Sequence, residues 1–596
     1  MRYKLKLISY AVAAITTLSI IGCDNQSTTT KIGTKESQFH QLLEYIPSDT
    51  LFFFGQLKPF PIKQYIDTQV TMLKERGVTD ISSIYQYETS SAGEEFILRV
   101  GLALNNSKLA DGQTYIDSLG LSEEMNFYAY MLGAMPAVKF KAEKPEVFLA
   151  LLDEVEKQVN EDFNAETPGN QADFTYQGGN VDGINYRRYQ FDSSNMPGGF
   201  YTLQELVVPE QNSAHSSSLY VSVNDNIVTL FLNNDQLTLS DSVLSMALGG
   251  VRAATPLQLD DLQQIIKQHN FIDESIGFIN HQSIATALTT KDQSLLAKHV
   301  YTLTQSDETV SEICNKAFTS IAGNWPRTVL GTDKFDLEKG RLAYRFIIES
   351  KNKHIMKALN ELQGFIPDFI TKSIDPLLSI GVGINADNLV SSTMALQDEL
   401  ATPTYQCQFL SEIQDEISNN SVAELNFITG FTRGLKGISL LIDHLNKNDD
   451  FETLDGIITI SADDPKFLID TAKSFLPEYA IDIPTDGTPI VIDEYVEVGS
   501  ENKVAIKGAH FTLYTGEQGE KLSEGLSDVE LSSNALFSIN LNYDKFMPLV
   551  LKNEEVKQTI DLDKKQSDVL MAIKYKVRFT TSVTDDTITV SMELNN

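Results

Sequence analysis

Five local sequence patterns occur twice along this chain of 596 residues, in the same order. In the first, Pro47-Ser48-Asp49-Thr50 leads into the apolar run Leu51–Phe54, as Asp375-Pro376 leads into Leu377–Ile384. In the second, VKFKAEKPEVFLALLDEV from Val138 matches ITISADDPKFLIDTAKSF from Ile458: an alternating stretch, then Pro145 or Pro465, then an amphipathic segment. The third is a pair of hairpins, Tyr220–Leu232 and Lys503–Thr515, that close on Thr-Leu-aromatic. The fourth centres on Ile279-Asn280 and Ile539-Asn540, and the fifth on turns at Lys339-Gly340 and Asp585-Asp586. The offsets between copies fall steadily, at about 326, 320, 283, 260 and 246, as shorter loops in the second copy would produce. The largest difference lies near residues 165–217, where the first copy carries extra Gly-, Asn- and Ser-rich sequence.

Each copy reads as short alternating strands with helices between them. Phe148, Leu151, Leu152, Val155 and Val159 fall at helical spacing. Pro145 and Pro465 suit a first helical turn, where no intrahelical N–H bond is lost. Asp464 can cap its helix and Lys144 cannot. Short strands joined by hairpin turns favour antiparallel pairing. The expected fold class is therefore α+β: two tandem related modules, residues 40–355 and 356–596, each a mostly antiparallel twisted sheet with helices on one face.

The N-terminus is of a different kind. Residues 1–6 carry three positive charges, and an apolar stretch follows from Leu7 to Ile21. At about 15 residues it is shorter than the roughly 20 that a permanent spanning helix needs. This is the layout of a secretory leader. It ends in Ile20-Ile21-Gly22-Cys23, which resembles the lipobox of bacterial lipoproteins. The resemblance implies cleavage after Gly22 and a lipid on Cys23, with palmitate-type acyl chains holding the protein at a membrane. Asp24 and Asn25 resemble the sorting signal that retains such proteins on the periplasmic face of the inner membrane; the outer membrane is the alternative. Residues 23–39 are polar and read as a flexible tether. The body also resembles, loosely, uncharacterised large proteobacterial periplasmic lipoproteins that open with a similar Ile-Pro-x-Asp-Thr strand, a resemblance that implies no activity.

The formal net charge is −34, and losing Arg2, Lys4 and Lys6 with the leader takes it to about −37. A field of that sign opposes nucleic acid and anionic headgroups. Apart from Cys23, the cysteines are Cys314 and Cys407. In an oxidising compartment an even pair commonly bonds, so a disulfide between them and a pair of buried thiols both stand as readings.

Signatures of chemistry are sparse. His40, His215, His269, His281, His299, His354, His444 and His510 show neither HxxxH nor HxH spacing, so no metal site is expected. Asp561-Leu562-Asp563 lacks the glycine and glutamate of a calcium loop, and Asn448-Asp449-Asp450 near Asp455-Gly456 fails its spacing. Gly381-Val382-Gly383 sits in an apolar strand and suggests close packing, not a dinucleotide loop. Ser500-Glu501-Asn502-Lys503 matches SxxK in letters only. Gln56, Asn280, Asn385 and Asn540 recur at strand ends, where caps and turn formers are expected ahead of pocket-lining groups. Trp325-Pro326-Arg327 holds the single tryptophan, read as packing ahead of a partner anchor.

With no catalytic residue and no cofactor indicated, the expected function is a membrane-anchored periplasmic lipoprotein acting as a non-enzymatic scaffold or interaction body. Its expected partners are the membrane, through the lipid, and an envelope protein. The alternative is a ligand-binding lipoprotein with a cleft between the two modules; an unrecognised hydrolase is the least supported reading.

Overall fold

The computed structural model describes residues 40–82, 91–166, 174–192, 216–272, 274–337, 339–372, 375–419, 425, 429–448, 451–475, 481–492, 501–552, 564–572 and 574–595. The leader, Cys23, Asp24, Asn25 and the tether lie outside them. The chain divides into two compact units: one from the N-terminus to residue 322 with 326–338 and 560–572, the other 323–325, 339–559 and 573–596. The fold class is α+β, as expected.

The first unit contains β1 (Phe52–Gln56), β2 (Phe127–Leu132), β3 (Met135–Lys141), β4 (Gln177–Val181), β5 (Ile184–Asp192), β6 (Ser216–Asn224), β7 (Ile227–Asn234), β8 (Ser275–Asn280) and β9 (Arg327–Asp336). They pair in the order β9-β8-β1-β2-β3-β7-β6-β5-β4, every pair antiparallel. Tight turns set the hairpin registers. Asp225-Asn226 between β6 and β7 has φ of 48° and 64°, and Asp182-Gly183 between β4 and β5 has 50° and 85°. Two consecutive positive φ values match the twist of the flanking strands, and Asn, Asp and Gly tolerate them best.

Helices cover both faces of this sheet, not one. Phe140 packs edge-on against Phe148 of the helix Pro145–Glu166, with ring centroids 5.5 Å apart. Its neighbour Lys139, which points the other way, reaches the carbonyl of Ala247 in the helix Asp241–Leu248. The reason is visible in β1, where Phe53 and Phe54 are consecutive and both buried. Apolar side chains on both faces of a strand need cover on both.

The second unit contains β10 (Arg341–Glu349), β11 (Leu378–Val382), β12 (Leu435–Asn448), β13 (Phe451–Ala462), β14 (Ile490–Val491), β15 (Asn502–Lys507), β16 (His510–Thr515), β17 (Phe537–Asn542), β18 (Lys576–Val583) and β19 (Thr587–Asn595). Their order is β14-β15-β16-β13-β12-β11-β17-β18-β19-β10, again antiparallel throughout. One core here joins Leu441, Ile457, Ala505 and Tyr514 to Ile366, Ile370, Leu526 and Ala535. On the other face Val504, Ile506, Phe511 and Leu513 pack with Ile469 of the helix Pro465–Phe475 and with Ile481, Ile483, Ile490 and Ile492. Gly381 has a packing role: a Cβ there would stand 2.5 Å from the Ile366 side chain. At Gly383 it would stand 2.2 Å from the Ala535 carbonyl. Such close approach is what the pair of glycines permits.

Candidate functional site

The first unit holds a cavity of about 580 Å³. Its floor is the paired strands β3 and β7, contributing Lys139, Lys141, Ile227 and Thr229. One wall is the 3₁₀ turn Gln41–Tyr45. The Asp225-Asn226 turn and Asn224 form a second wall, and Leu248, Gly249 and Arg252 a third. Period-two alternation puts Lys139 and Lys141 on the same face of β3. The helix Asp241–Leu248 then covers Lys139, which is 1% exposed.

Burial of that ammonium group is costly unless hydrogen bonds and an opposite charge compensate. Lys139 donates to the Thr229 hydroxyl at 3.0 Å and to the Ala247 carbonyl. Among the described residues no carboxylate reaches it. Burial pushes its pKa down to about 7. The helix ends at Gly249, whose φ is +94°. A Cβ on Gly249 would be 4.0 Å from both Lys139 Nζ and the Asn224 side-chain amide, so glycine leaves that side of the amine open. Arg252 pairs with Glu44 at 2.8 Å.

The sequence patterns gave no warning of this site. In VKFK the lysines alternate with apolar residues, which reads as the wet side of a half-buried strand. One usable signal was the repeat itself, because Lys139 and Lys141 stand where the second copy has Thr459 and Ser461. Thr459 faces Thr512 across β13 and β16, just as Lys139 faces Thr229 across β3 and β7.

The residues singled out from the sequence lie apart. Gln56 is fully buried on β1, with both side-chain polar atoms unpaired. Asn280 caps the helix His281–Thr289, accepting from the Gln282 and Ser283 amides. Asn385 accepts from Lys436 at 2.9 Å. Asn540 is not a cap: it is buried in β17, and its amide donates to the Ser379 hydroxyl at 2.6 Å. The cap belongs to Asn542, which accepts from the Asp544 and Lys545 amides. Cys314 and Cys407 are both buried, and each is disulfide-bonded. Trp325 is half-buried. Lys503 lies on β15, paired with Glu501 and Glu520. Asp449, Asp450, Ser500 and Asp561-Leu562-Asp563 lie outside the described residues.

The histidines serve separate local contacts. His40 bonds the Tyr128 hydroxyl at 2.6 Å, and His281 bonds Thr328 at 3.0 Å. His299 accepts from the Ala134 amide at 3.1 Å, and burial, helped by Lys298, lowers its pKa to about 4. Buried His510 bonds Ser461 and the Val529 carbonyl, and burial lowers its pKa. His269 is buried, and His215 lies outside the described residues. Asp455 accepts from the Gln518 and Gly519 amides, capping the helix Gly516–Glu524 from β13. Among the described residues no group of three or more His, Cys, Asp or Glu is placed to hold a metal ion.

A second feature is a sheet face. On one side of the second unit's sheet, Ser379, Ser439, Thr459, Ser461, Thr512 and Ser538 are buried. On the other side, register places Phe537, Val382 and Ile438 directly opposite one another across β17, β11 and β12. They are 37%, 38% and 48% exposed, and Ile458, on the same face of β13, is 38% exposed. Ile380 and Leu440 lie between them in the next row. In these rows small polar side chains are covered while large apolar ones are left partly in water, a local reversal of the usual distribution.

No known protein family, curated protein or solved structure matches the chain. Among the described residues no helix is long and apolar enough to cross a membrane.

Proposed function

We propose that this chain is a lipid-anchored envelope protein whose body works as a non-enzymatic interaction module, docking a protein partner on the apolar face of β11, β12, β13 and β17. The half-exposed row Phe537, Val382 and Ile438 carries the reading. Contiguous exposed apolar surface marks interaction sites, whereas scattered apolar residues need no explanation. The anchor is Cys23, from its lipobox context, with Asp24 and Asn25 directing retention at the inner membrane. The tether of residues 23–39 would let the body range some tens of ångströms from the bilayer.

We also infer that the two units descend from one duplicated module. In the first unit β9-β8-β1-β2-β3-β7-β6 is a continuous run of partners. In the second the run is β18-β17-β11-β12-β13-β16-β15, with the same order along the chain. The registers support the reading too. Phe53 faces Tyr130, Tyr130 faces Ala137 and Ala137 faces Phe231; Ser379 faces Leu441, Leu441 faces Ile457 and Ile457 faces Tyr514. These positions are related by the offsets read from the first three patterns.

The docking surface is tested with a photocrosslinking residue at Ile438, and at exposed Lys357 as a control, in the full chain in intact cells. The expected result is a discrete protein adduct from position 438 alone, lost on adding Val382→Asp. Adducts to lipid only, or equal adducts from both positions, would refute the surface. The anchor is tested by labelling with a clickable palmitate analogue. Incorporation abolished by Cys23→Ser is expected, and persistent labelling of that variant would remove the anchor from the reading.

A further inference from the structure

We propose that the cavity over β3 and β7 is a binding site for a small phosphate-bearing molecule, held against Lys139 and Lys141. This is independent of the apolar face, which belongs to the other unit. The cavity, at about 580 Å³, is of the size that takes a metabolite.

Its charge points to an anion. In a chain with 81 acidic and 47 basic residues, the lining gathers Lys139, Lys141 and Arg252 against Glu44 and Asp225. Glu44 is already engaged by Arg252. That leaves two ammonium groups facing one carboxylate, on a turn. Arg252 Nε is spent on Glu44, so the charge left to meet a ligand is mainly that of the two lysines, which suit an oxyanion with several acceptors. Lys139, Lys141, Asn224, Asn226 and Gln41 line the cavity from separate walls, a set of donors that suits a tetrahedral oxyanion with several acceptor oxygens.

The buried lysine supplies the second line of reasoning. Lys139 spends two of its three N–H donors on Thr229 and Ala247 when charged, and the described residues give it no countercharge. A phosphate would provide both the third acceptor and the charge. The fold does not demand a cation here, because Thr459 occupies the matching register position in the second unit. Gly249 leaves room beside the amine that a side chain would fill.

Binding should also move a proton. Around Lys139 the titratable or charged groups are Glu44 and Tyr45 from the 3₁₀ turn, Lys141 from β3, Asp225 from the β6–β7 turn, and Arg252. Tyr128 faces it from β2, its hydroxyl bonded to His40. The helix above contributes only Leu248 to the lining, followed by Gly249. With Lys139 held near 7, a phosphate anion arriving at pH 8, mono- or dianionic, draws a proton onto the amine.

The test is calorimetric titration of the full chain in detergent with glycerol 3-phosphate and, separately, with dispersed phosphatidylglycerol. Titrations at pH 8 in buffers of different ionisation enthalpy read the proton. Binding in either arm, weakened at least tenfold by Lys139→Met and severalfold by Lys141→Gln, with proton uptake lost in Lys139→Met, is expected. The arm that responds names the source of the phosphate, free solute or headgroup. Lys141 lies at the cavity rim, so Lys141→Gln keeps the test valid if Lys139→Met fails to fold. No binding in either arm, or binding indifferent to both substitutions, would overturn the site.

Discussion

At the scale of single residues, two buried bases tie stability to pH in the same direction. Lys139 has a folded pKa near 7, against an ordinary lysine value of 10.5. A base whose pKa is lowered by folding contributes fully above its unfolded pKa and loses that contribution as pH falls through the gap. The unfolding free energy should therefore decline between about pH 10.5 and 7, by up to about 5 kcal/mol from this group. Denaturant melts of wild type and Lys139→Met at closely spaced pH values check it. The difference between the two should grow in favour of the variant as pH falls across that window; a constant difference would mean that the amine is not desolvated. His299 repeats the logic lower down. Its folded pKa is about 4, so its contribution is intact above about 6.5 and is lost as pH falls from there to 4. His299→Gln should flatten the acid limb of the stability profile by about 3 kcal/mol. An unchanged limb would place acid sensitivity elsewhere. Neither base was legible in the sequence, because burial depends on which helix crosses which strand, and letter patterns carry only the strand's own period.

At the scale of elements, helix starts were legible in kind but not always in position. Asp464 was readable as a cap, and its carboxylate does accept from the Phe467 amide at 3.0 Å. The strand-ending asparagines were read correctly as caps at Asn280 and two residues early at Asn540. Both candidates lie in the run Ile539-Asn540-Leu541-Asn542, which satisfies the same pattern in either register. Burial breaks the tie: Asn540 points to the helix-covered face with Ser379, and only Asn542 stands where the chain turns. Replacing Asn280 or Asn542 by alanine should each cost about 1 kcal/mol, the usual worth of a side-chain cap. Chemical denaturation of the two variants measures it. A cost near zero for Asn542→Ala would return the role to Asn540. The expectation of helices on a single face failed for a different reason. Antiparallel strands were inferred from turns, which say nothing about how many layers a sheet supports, whereas the consecutive buried Phe53 and Phe54 do.

At the scale of the whole molecule, the five paired patterns were the most informative thing in the sequence, since they sit on β1, β3, the β6–β7 hairpin, β8 and the β9–β10 turn, and again on β11, β13, the β15–β16 hairpin, β17 and the β18–β19 turn. What they omitted is β2 with its counterpart β12, which differ in length, and β4 and β5, which lie on the Gly-, Asn- and Ser-rich insertion of the first copy. Long-range covalent links are invisible to such patterns, and the cysteines show it. Spacing alone left open a bond or two thiols; both Cys314 and Cys407 are disulfide-bonded, and we propose that they are bonded to each other. A link between them closes a loop of 93 residues. Removing that much freedom from the unfolded chain is worth about 4 to 5 kcal/mol before strain. Because both sulfurs are buried, reductant should act slowly on the folded protein and quickly in denaturant. Digestion of unreduced protein should therefore yield one peptide pair joining the Cys314 and Cys407 segments. Cys314→Ser and Cys407→Ser should lower stability equally, and the double variant should be no worse than either. Free thiols in protein purified from the periplasm, or losses that add, would break the pairing.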